Sequence, residues 1–243
     1  MGSGISYINI PTTLLAMVDA SVGGKTGVDL GALKNQVGII NEGEMVGVDT
    51  SFLSTLPQNE MVSGFAEMLK HGLVYDKTYW NTLTHLENLD ISDLDGLIYD
   101  SVVIKNKVVS EDPKEQGLRK MLNFGHTIGH AIESYFLAHA DKTPLLHGEA
   151  IAIGMLLEAY LSTKTCGLST SDFENITEGI LKTFSKVPIT IEDQKIIINL
   201  LKHDKKNSHG VVKFVLLEAI GTPKIDCVVS NELILEAFKH YSA

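Results

Sequence analysis

Two histidines four residues apart are the first groups in the chain that could bind a metal or an anion. His126 and His130 lie in the run Asn-Phe-Gly-His-Thr-Ile-Gly-His, and this spacing places both on one face of a helix. Asn123 joins that face. A metalloprotease of the H-E-x-x-H type is not expected, because Thr127 occupies the position of its glutamate. The pattern leaves two interpretations open: a metal or anion site, or histidines beside a tight helix crossing.

Two other segments carry groups of the same kind. Glu67, Lys70 and His71 share one face of an apolar segment, which indicates either a surface ion pair or a buried polar cluster. His147 follows Pro144 at the start of another predicted helix, where a lone histidine is more typical of a cap than of a ligand. One carboxylate and two imidazoles are a common ligand set for catalytic zinc with an open position.

A glycine-rich stretch at residues 22–27 contains Lys25 and indicates anion binding. Asp19 occupies the place of the first glycine in G-x-x-x-x-G-K-[ST], so the P-loop pattern fails. A loop of backbone N–H groups and one lysine remains. Other cations that could join an anion site, each more typical of solvated surface when alone, are Lys34, Lys105, Arg119, Lys205 and Lys206.

Composition excludes several classes of function. The 243 residues are 44% apolar and carry a formal net charge of -10, which disfavours nucleic acid or an anionic membrane as the main partner. No apolar run reaches the ~18 residues of a membrane-spanning helix, and the first residues lack a signal peptide. Cys166 and Cys227 have no metal-type spacing, so we expect free thiols in a reducing cytoplasm.

The elements that must position these groups fall into two parts. Strands are predicted at residues 5–10, 37–40 and 45–48, a short helix ends near Val18, and residues 22–27 are predicted to be loop. Periodicity then predicts helices and one late strand. The helices are at 58–75, 78–88, 92–111, 121–137, 147–165, 171–184, 192–203 and 231–240, and the strand is at 211–217. An incomplete α/β unit followed by helices predicts an α+β chain that begins within a longer protein.

Six segments together resemble the signature of 3-dehydroquinate synthases. They occur in that family's order along nearly the whole chain, and as a set they are very specific. The segments are residues 10–27, Lys34-Asn35, 64–70, 122–130, 146–149 and 204–206.

The resemblance implies a truncated piece of a Rossmann-like NAD domain at residues 1–56 and a helical metal- and substrate-binding domain at residues 57–243. It implies that Glu67, His126 and His147 bind the metal, Zn²⁺ or Co²⁺. His130 would instead lie near the substrate phosphate, and a homodimer is implied for the full-length protein.

Further roles follow from the same resemblance. Residues implied to act in catalysis are Asp19, Lys25, Lys70, Lys105, Arg119, Asn123, His130 and Lys206. Residues implied to bind substrate are Asn35 and Lys205. Residues implied to line NAD are Thr12, Thr13, Lys25, Lys34, Phe52, Leu53, Ser54 and Thr55.

The implied reaction converts the sugar phosphate 3-deoxy-D-arabino-heptulosonate 7-phosphate to 3-dehydroquinate and phosphate, a lyase step of the shikimate pathway in aromatic amino acid biosynthesis. NAD removes a hydride from one carbinol, and the metal acidifies the hydroxyl that is oxidised. Phosphate then leaves by β-elimination, the hydride returns, and an internal aldol reaction closes the ring.

Two departures from the family pattern bear on activity. The family's glycine-rich NAD-pyrophosphate motif is absent, and Ser3 stands where the family tends to carry an arginine before Gly4-Ile5. We therefore expect this chain to bind NAD poorly and to turn over little. A cyclisation assay at normal family rates would contradict that expectation.

Three alternatives remain open. One is another sugar phosphate cyclase, such as a 2-deoxy-scyllo-inosose synthase, whose substrate lacks a carboxylate. Another is a metal-dependent polyol dehydrogenase of related fold, which would release NADH. The last is a helical interaction module with a structural metal, for which a closed four-ligand site would be evidence.

Overall fold

The structure, a computed structural model, describes residues 5–30, 33–202 and 212–243. Most of this part of the chain is helical, which confirms the predicted α+β class with few short strands. The α-helices are α1 (Gln58–Tyr75), α2 (Lys77–His85), α3 (Ile91–Glu111), α4 (His126–Ala138), α5 (His147–Thr165), α6 (Thr170–Leu181), α7 (Ile191–Lys202) and α8 (Asn231–Ser242). Shorter turns are a π-helix (Ala16–Ala20) and two 3-10 helices (Thr50–Thr55 and Leu118–Asn123).

The strands form three separate pairs rather than one sheet. They are β1 (Ile8–Asn9), β2 (Lys25–Leu30), β3 (Leu33–Ile40), β4 (Met45–Val46), β5 (Lys213–Ala219) and β6 (Thr222–Val228). β1 pairs with β4 in parallel, whereas β2 with β3 and β5 with β6 are antiparallel.

Several strand predictions were wrong in detail. The strand predicted at residues 5–10 is only two residues long, and β2 begins inside the glycine-rich stretch predicted to be loop. A second late strand, β6, was missed. It pairs with β5 in a hairpin whose turn contains Gly221 at a positive φ of 84°, a conformation that glycine adopts readily.

Side-chain caps explain where several helices begin. Asp76 accepts hydrogen bonds from Thr78 N and Tyr79 N at the start of α2, and such caps typically contribute about 0.5–2 kcal/mol. Thr190 and Asp193 form a reciprocal pair at the start of α7: Thr190 Oγ1 accepts from Asp193 N, and Asp193 Oδ2 accepts from Thr190 N. This satisfies two backbone donors at the helix start.

Helix α5 is the centre of the core, because it contacts α1, α4, α6, α8 and β5. The α4–α5 crossing is close at three glycines. A Cβ atom on Gly154 would lie 1.9 Å from Gly125 O, and one on Gly129 would lie 3.1 Å from Ala150 O. The sequence prediction that paired glycines mark a close helix approach is confirmed here.

The start of α4 differs from the predicted helix at 121–137. Asn123 ends a separate 3-10 helix, and Gly125 has a positive φ of 78° before α4 begins at His126. Asn123 is therefore not on the same helix as His126 and His130. The left-handed backbone at Gly125 turns the chain sharply before the first histidine.

Two further observations concern membrane-spanning helices and the cysteines. None of the helices in the described ranges is long and apolar enough to cross a bilayer. Cys166 and Cys227, far apart in sequence, are both free, and their Sγ atoms lie 3.8 Å apart.

The close crossing generates a testable expectation for stability. Gly154→Ala should destabilise the protein by about 1–3 kcal/mol, because its methyl group would overlap Gly125 O and force α4 away from α5. Urea unfolding measures the change. Gly96→Ala is the matched control, since a Cβ there meets nothing within 4 Å in α3, and alanine should add about 1 kcal/mol. A Gly154→Ala chain as stable as the wild type would contradict the close packing.

Candidate metal and substrate site

Glu67 lies at the centre of the candidate site, on the buried face of α1. Its side chain and those of Lys70 and His71 are at most 1% exposed, so the surface-pair interpretation of this cluster was wrong. Helix α1 can bury them because it packs against α2, α3 and α5. A buried carboxylate requires charged or hydrogen-bonding partners. Side chains of α1, α4 and α5 lie close enough to act as partners.

Two histidine nitrogens face one oxygen of Glu67. His126 is the first residue of α4 and His147 is the first residue of α5. Their Nε2 atoms each lie 3.4 Å from Glu67 Oε1. On the other side, Lys70 Nζ forms an ion pair with Glu67 Oε2. Three segments distant in sequence therefore converge on one carboxylate.

The position of His147 depends on the start of α5. Leu146 N donates a hydrogen bond to Glu149 Oε2 at 2.7 Å, and Gly148 N donates one to Ser63 Oγ of α1 at 3.0 Å. A Cβ atom on Gly148 would lie 2.0 Å from Ser63 O. These contacts hold the first turn of α5 directly against α1, next to Glu67.

Hydrogen bonds at the opposite ring nitrogens determine which tautomers the two histidines adopt. His126 Nδ1 lies 3.0 Å from Phe124 O, and a carbonyl can only accept, so Nδ1 carries the hydrogen. His147 Nδ1 lies 3.4 Å from Glu133 Oε2. Neutral rings held in this way direct an Nε2 lone pair toward Glu67, which is the arrangement of metal-binding histidines.

The spacing fits a divalent metal. Zinc bonds of about 2.0–2.1 Å to nitrogen and 2.0–2.2 Å to oxygen at tetrahedral angles place neighbouring ligand atoms about 3.3–3.5 Å apart. Both Glu67–histidine distances are 3.4 Å. In addition, neither oxygen of Glu67 has a hydrogen-bond partner of good geometry within the described residues. Glu67, His126 and His147 therefore fit as ligands of one zinc or cobalt ion.

Protonation of the two rings differs. Burial lowers the pKa of His126 below its usual 6.5, despite the attraction of Glu67. Burial would also lower the pKa of His147, but the nearby carboxylates of Glu133 and Glu67 outweigh it and raise the pKa to about 9. A metal that binds here would displace the His147 proton.

His130 gives a second possible set of three ligands. Its ring centroid lies 5.1 Å from that of His126 and 5.8 Å from that of His147. One nitrogen from each of these three rings lies within 4.8 Å of the others. Two ligand sets thus share His126 and His147 and differ in Glu67 or His130.

Asp19, Lys70 and Lys105 form a charge cluster next to Glu67, in which the two lysines are buried and Asp19 is partly exposed. Asp19 Oδ1 lies 2.8 Å from Lys105 Nζ and 3.5 Å from Lys70 Nζ. Burial would raise the pKa of Asp19, but Lys105 and Lys70 outweigh it and hold the pKa well below its usual value. His71 Nε2 lies 3.9 Å from the same oxygen. Two ammonium groups already neutralise Asp19, so we do not expect a metal between Asp19, Glu67 and His71.

Lys25 and Asn123 meet at Glu115, and Arg119 lies at the glycine-rich stretch. Lys25 Nζ forms an ion pair with Glu115 Oε2, and Asn123 Nδ2 donates to Glu115 Oε1 at 2.6 Å. The Arg119 guanidinium donates to Gly23 O at 3.0 Å and to Pro113 O. These cationic and amide groups, predicted separately from sequence, therefore gather near the π-helix and β2.

Other predicted residues lie in the N-terminal part of the chain. Thr13 Oγ1 accepts a hydrogen bond from Ala16 N, and Thr12 is exposed. Phe52 is 40% exposed, whereas Leu53 beside it is buried in the core. Ser54 and Thr55 complete the same 3-10 helix. Lys34 and Asn35 belong to β3, their side chains lie outside the described part, and Lys205 and Lys206 lie outside the described residues.

Sequence reasoning missed two acidic residues that support the histidines. Glu133 lies seven residues after His126, a spacing that could have placed it on the metal-facing side of α4. Glu158 is a single acid within the apolar middle of α5, and its carboxylate accepts a hydrogen bond from Gly125 N at 2.6 Å. The signal for Glu158 was one charge in a buried helix; nothing in its spacing predicts the contact with α4.

Comparisons with known proteins identify the family of the chain. The family model described as "3-dehydroquinate synthase C-terminal" matches residues 64–207, and the model described as "3-dehydroquinate synthase N-terminal" matches residues 1–63. The chain belongs to the 3-dehydroquinate synthase family. A 3-dehydroquinate synthase of Parabacteroides distasonis is 43% identical over 240 residues, which are 98% of this chain and 67% of that protein.

Solved structures of related cyclases have the same fold. The 2-epi-5-epi-valiolone synthase ValA of Streptomyces hygroscopicus subsp. jinggangensis 5008, with NAD+ and Zn2+ bound, has a TM-score of 0.85 and 25% identity, covering 98% of this chain and 66% of that one. A 2-deoxy-scyllo-inosose synthase complexed with carbaglucose-6-phosphate, NAD+ and Co2+ has a TM-score of 0.82 and 29% identity, covering 98% and 67%. The chain spans about two thirds of the length of these family members.

Measuring Zn²⁺ affinity tests whether Glu133 orients His147. Glu133→Gln should weaken Zn²⁺ binding about 10–100-fold, since a carboxylate that orients a ligating histidine typically contributes this much. Competition with a chromophoric chelator measures the affinity. Glu236→Gln is the control, because Glu236 is a half-exposed acid of α8 that pairs with Lys164 and contacts none of the three proposed ligands. Equal zinc affinity in Glu133→Gln and wild type would contradict the orienting role.

Proposed function

We propose that this chain carries the metal- and substrate-binding part of a 3-dehydroquinate synthase, which converts 3-deoxy-D-arabino-heptulosonate 7-phosphate to 3-dehydroquinate and phosphate. The observation that carries the proposal is the pair of 3.4 Å distances from His126 Nε2 and His147 Nε2 to Glu67 Oε1. That spacing matches ligands of one tetrahedral metal. The family membership of the chain supports the specific reaction.

The bound groups supply the chemistry that side chains lack: a divalent metal polarises a hydroxyl, and NAD accepts and returns a hydride. Glu67, His126 and His147 would hold the metal on one side and leave other coordination positions for substrate oxygens. Burial would raise the pKa of Glu67, but Lys70, His126 and His147 together outweigh it and hold the pKa well below its usual range, so Glu67 stays ionised.

The charge cluster beside the metal ligands would position the sugar. Burial would lower the pKa of Lys70, but Glu67 and Asp19 raise it, so Lys70 is a permanent cation and donor. Burial lowers the pKa of Lys105 despite its contact with Asp19. Asp19 stays ionised between these two lysines and can accept a hydrogen bond from a substrate hydroxyl. This arrangement fits a polyhydroxylated substrate beside the metal.

Anion recognition divides between two sets of residues in this proposal. Lys25, Asn35, Asn123 and His130 would hold the phosphate. Arg119 and the lysines, Lys205 and Lys206 among them, would hold the carboxylate and hydroxyls. Because the whole chain has a net charge of -10, such local positive charge is needed to attract a dianionic substrate.

The related cyclases indicate one alternative substrate class, sugar phosphates without a carboxylate. The 2-deoxy-scyllo-inosose synthase structure contains a carbaglucose phosphate, which lacks a carboxylate. Arg119, only 3% exposed and fixed by Gly23 O and Pro113 O, supports a carboxylate substrate, because a held guanidinium matches a carboxylate geometrically. Binding of carboxylated and decarboxylated substrate analogues separates the two classes.

We also propose that residues 1–56 belong to the NAD-binding α/β domain, that Thr12, Thr13, Lys25, Lys34 and Phe52–Thr55 contact NAD, and that residues 57–243 form the metal and substrate domain. The exposed apolar side chains of Ile5, Ile8 and Ile39 support the first assignment, because such side chains are usually covered. A homodimer in the cytoplasm completes the proposal. The two free thiols are consistent with a reducing compartment.

Metal binding by single-site variants distinguishes the two possible ligand sets. Glu67→Gln, His126→Ala and His147→Ala should each weaken Zn²⁺ binding by more than about 100-fold, since loss of a ligand exceeds loss of an orienting partner. His130→Ala should keep wild-type zinc affinity. Chelator competition on each purified chain, with circular dichroism to confirm folding, is the measurement.

The opposite pattern would contradict the proposal. If His130→Ala loses zinc while Glu67→Gln retains it, three histidines hold the metal and Glu67 is only a counter-charge. That result would also remove the basis for assigning His130 to the substrate phosphate.

A further inference from the structure

Glu158 is a buried carboxylate that the proposed chemistry does not use. It lies in the middle of α5 with 0% exposure, between the buried residues Leu157 and Ala159. No Lys, Arg or His of the described ranges forms an ion pair with it. Burying a charge without a cationic partner is costly, so a residue that served only to fill the core would be apolar. The contacts of its two oxygens indicate another role.

Both oxygens accept hydrogen bonds from the first turn of α4. Glu158 Oε2 accepts from Gly125 N at 2.6 Å, and Oε1 accepts from Ile128 N at 3.2 Å. The first N–H groups of a helix have no partner within the helix, and Gly125 has no side chain with which to cap them. Glu158 therefore caps α4 from a neighbouring helix.

Close packing between α4 and α5 also fixes the first turn of α4. Gly154 lies one turn before Glu158 on α5, so both residues share a face. A Cβ on Gly154 would lie 1.9 Å from Gly125 O, and a Cβ on Gly125 would lie 2.5 Å from Met155 Cγ. The start of α4 is thus held by packing on one side and by the carboxylate on the other.

This geometry links two metal ligands through one helix. α5 begins with His147, and Glu158 on the same helix holds the backbone on both sides of His126. Because the amides of Gly125 and Ile128, on either side of His126, donate to Glu158, the backbone of His126 cannot shift without disturbing these hydrogen bonds. The two Nε2 atoms meet Glu67 Oε1 only while α4 and α5 keep this register.

We propose that Glu158 is a positioning residue of the metal site: it fixes the N-terminus of α4 so that His126 and His147 bind one cation together with Glu67. The inference rests on the proposed function, since it requires that these three residues bind a metal. It predicts that metal affinity depends on a carboxylate that touches neither metal nor substrate.

The test uses Co²⁺ as the probe, because its visible absorption reports ligand geometry. Co²⁺ affinity and absorption are measured on the full chain, together with thermal unfolding, for wild type and Glu158→Gln. The amide keeps the shape of the side chain but replaces one oxygen acceptor with an NH₂ donor. One backbone N–H of α4 would then face a donor and lose its hydrogen bond. We expect affinity to fall about 10–100-fold and the absorption bands to change in position or intensity.

Ser162→Ala is the matched control for loss of stability alone. Ser162 lies one turn after Glu158 on α5, and its buried Oγ accepts a hydrogen bond from Leu217 N at 2.9 Å. Removing this hydroxyl also leaves a buried backbone N–H, that of Leu217, without an acceptor. The substitution changes no hydrogen bond to α4. We expect this variant to unfold at lower temperature with wild-type Co²⁺ affinity and absorption.

Each outcome bears on the inference separately from the proposed function. Folded Glu158→Gln with wild-type Co²⁺ affinity and absorption overturns the positioning role and leaves the proposed function intact. A wild-type chain that binds no Co²⁺ overturns both. Should Glu158→Gln not fold, Glu158→Asp is measured instead: it keeps the carboxyl group but shortens the side chain by one methylene, and wild-type Co²⁺ behaviour in that variant overturns the inference in the same way.

Discussion

The site depends on one buried carboxylate whose charge must be balanced. Glu67 is fully buried in α1, with Lys70 on one oxygen and two imidazole nitrogens facing the other. Removing a carboxylate from water costs several kcal/mol unless nearby positive charge and hydrogen bonds offset it. In the proposed function, a divalent metal held jointly with His126 and His147 would add positive charge beside the oxygen of Glu67 that Lys70 does not contact.

This requirement explains the packing around the site. The three proposed ligands, on α1, α4 and α5, must meet at one point. The ligands on α4 and α5 are the first residues of those helices. Their N-termini are held by close backbone contacts at Gly148 and Gly154 together with hydrogen bonds to the side chains of Glu149 and Glu158. Asp19, Lys70 and Lys105 extend the charged network away from the metal ligands, so the region that would bind the metal adjoins the region that would bind a charged sugar.

The sequence predicted the long helices well and the connections poorly. Helices 58–75 and 147–165 were placed to the residue, because apolar periodicity and helix-forming residues agree there. β6 was missed although burial alternates along it, because it contains Pro223 and Asp226, whose residue types are depleted in strands. The start of α4 was misplaced because a left-handed Gly125 cannot be read from spacing. Glu67, His126 and His147 were grouped by family resemblance. Their partners Glu133 and Glu158 depend on tertiary packing that local pattern does not encode.

The most direct test of the account is X-ray absorption spectroscopy at the zinc edge on the chain loaded with one equivalent of Zn²⁺. The account predicts a shell with two imidazole nitrogens and one carboxylate oxygen from the protein, at about 2.0–2.2 Å, completed by solvent. A shell of three imidazoles, or zinc bound by scattered surface groups without ordered imidazole scattering, would contradict it.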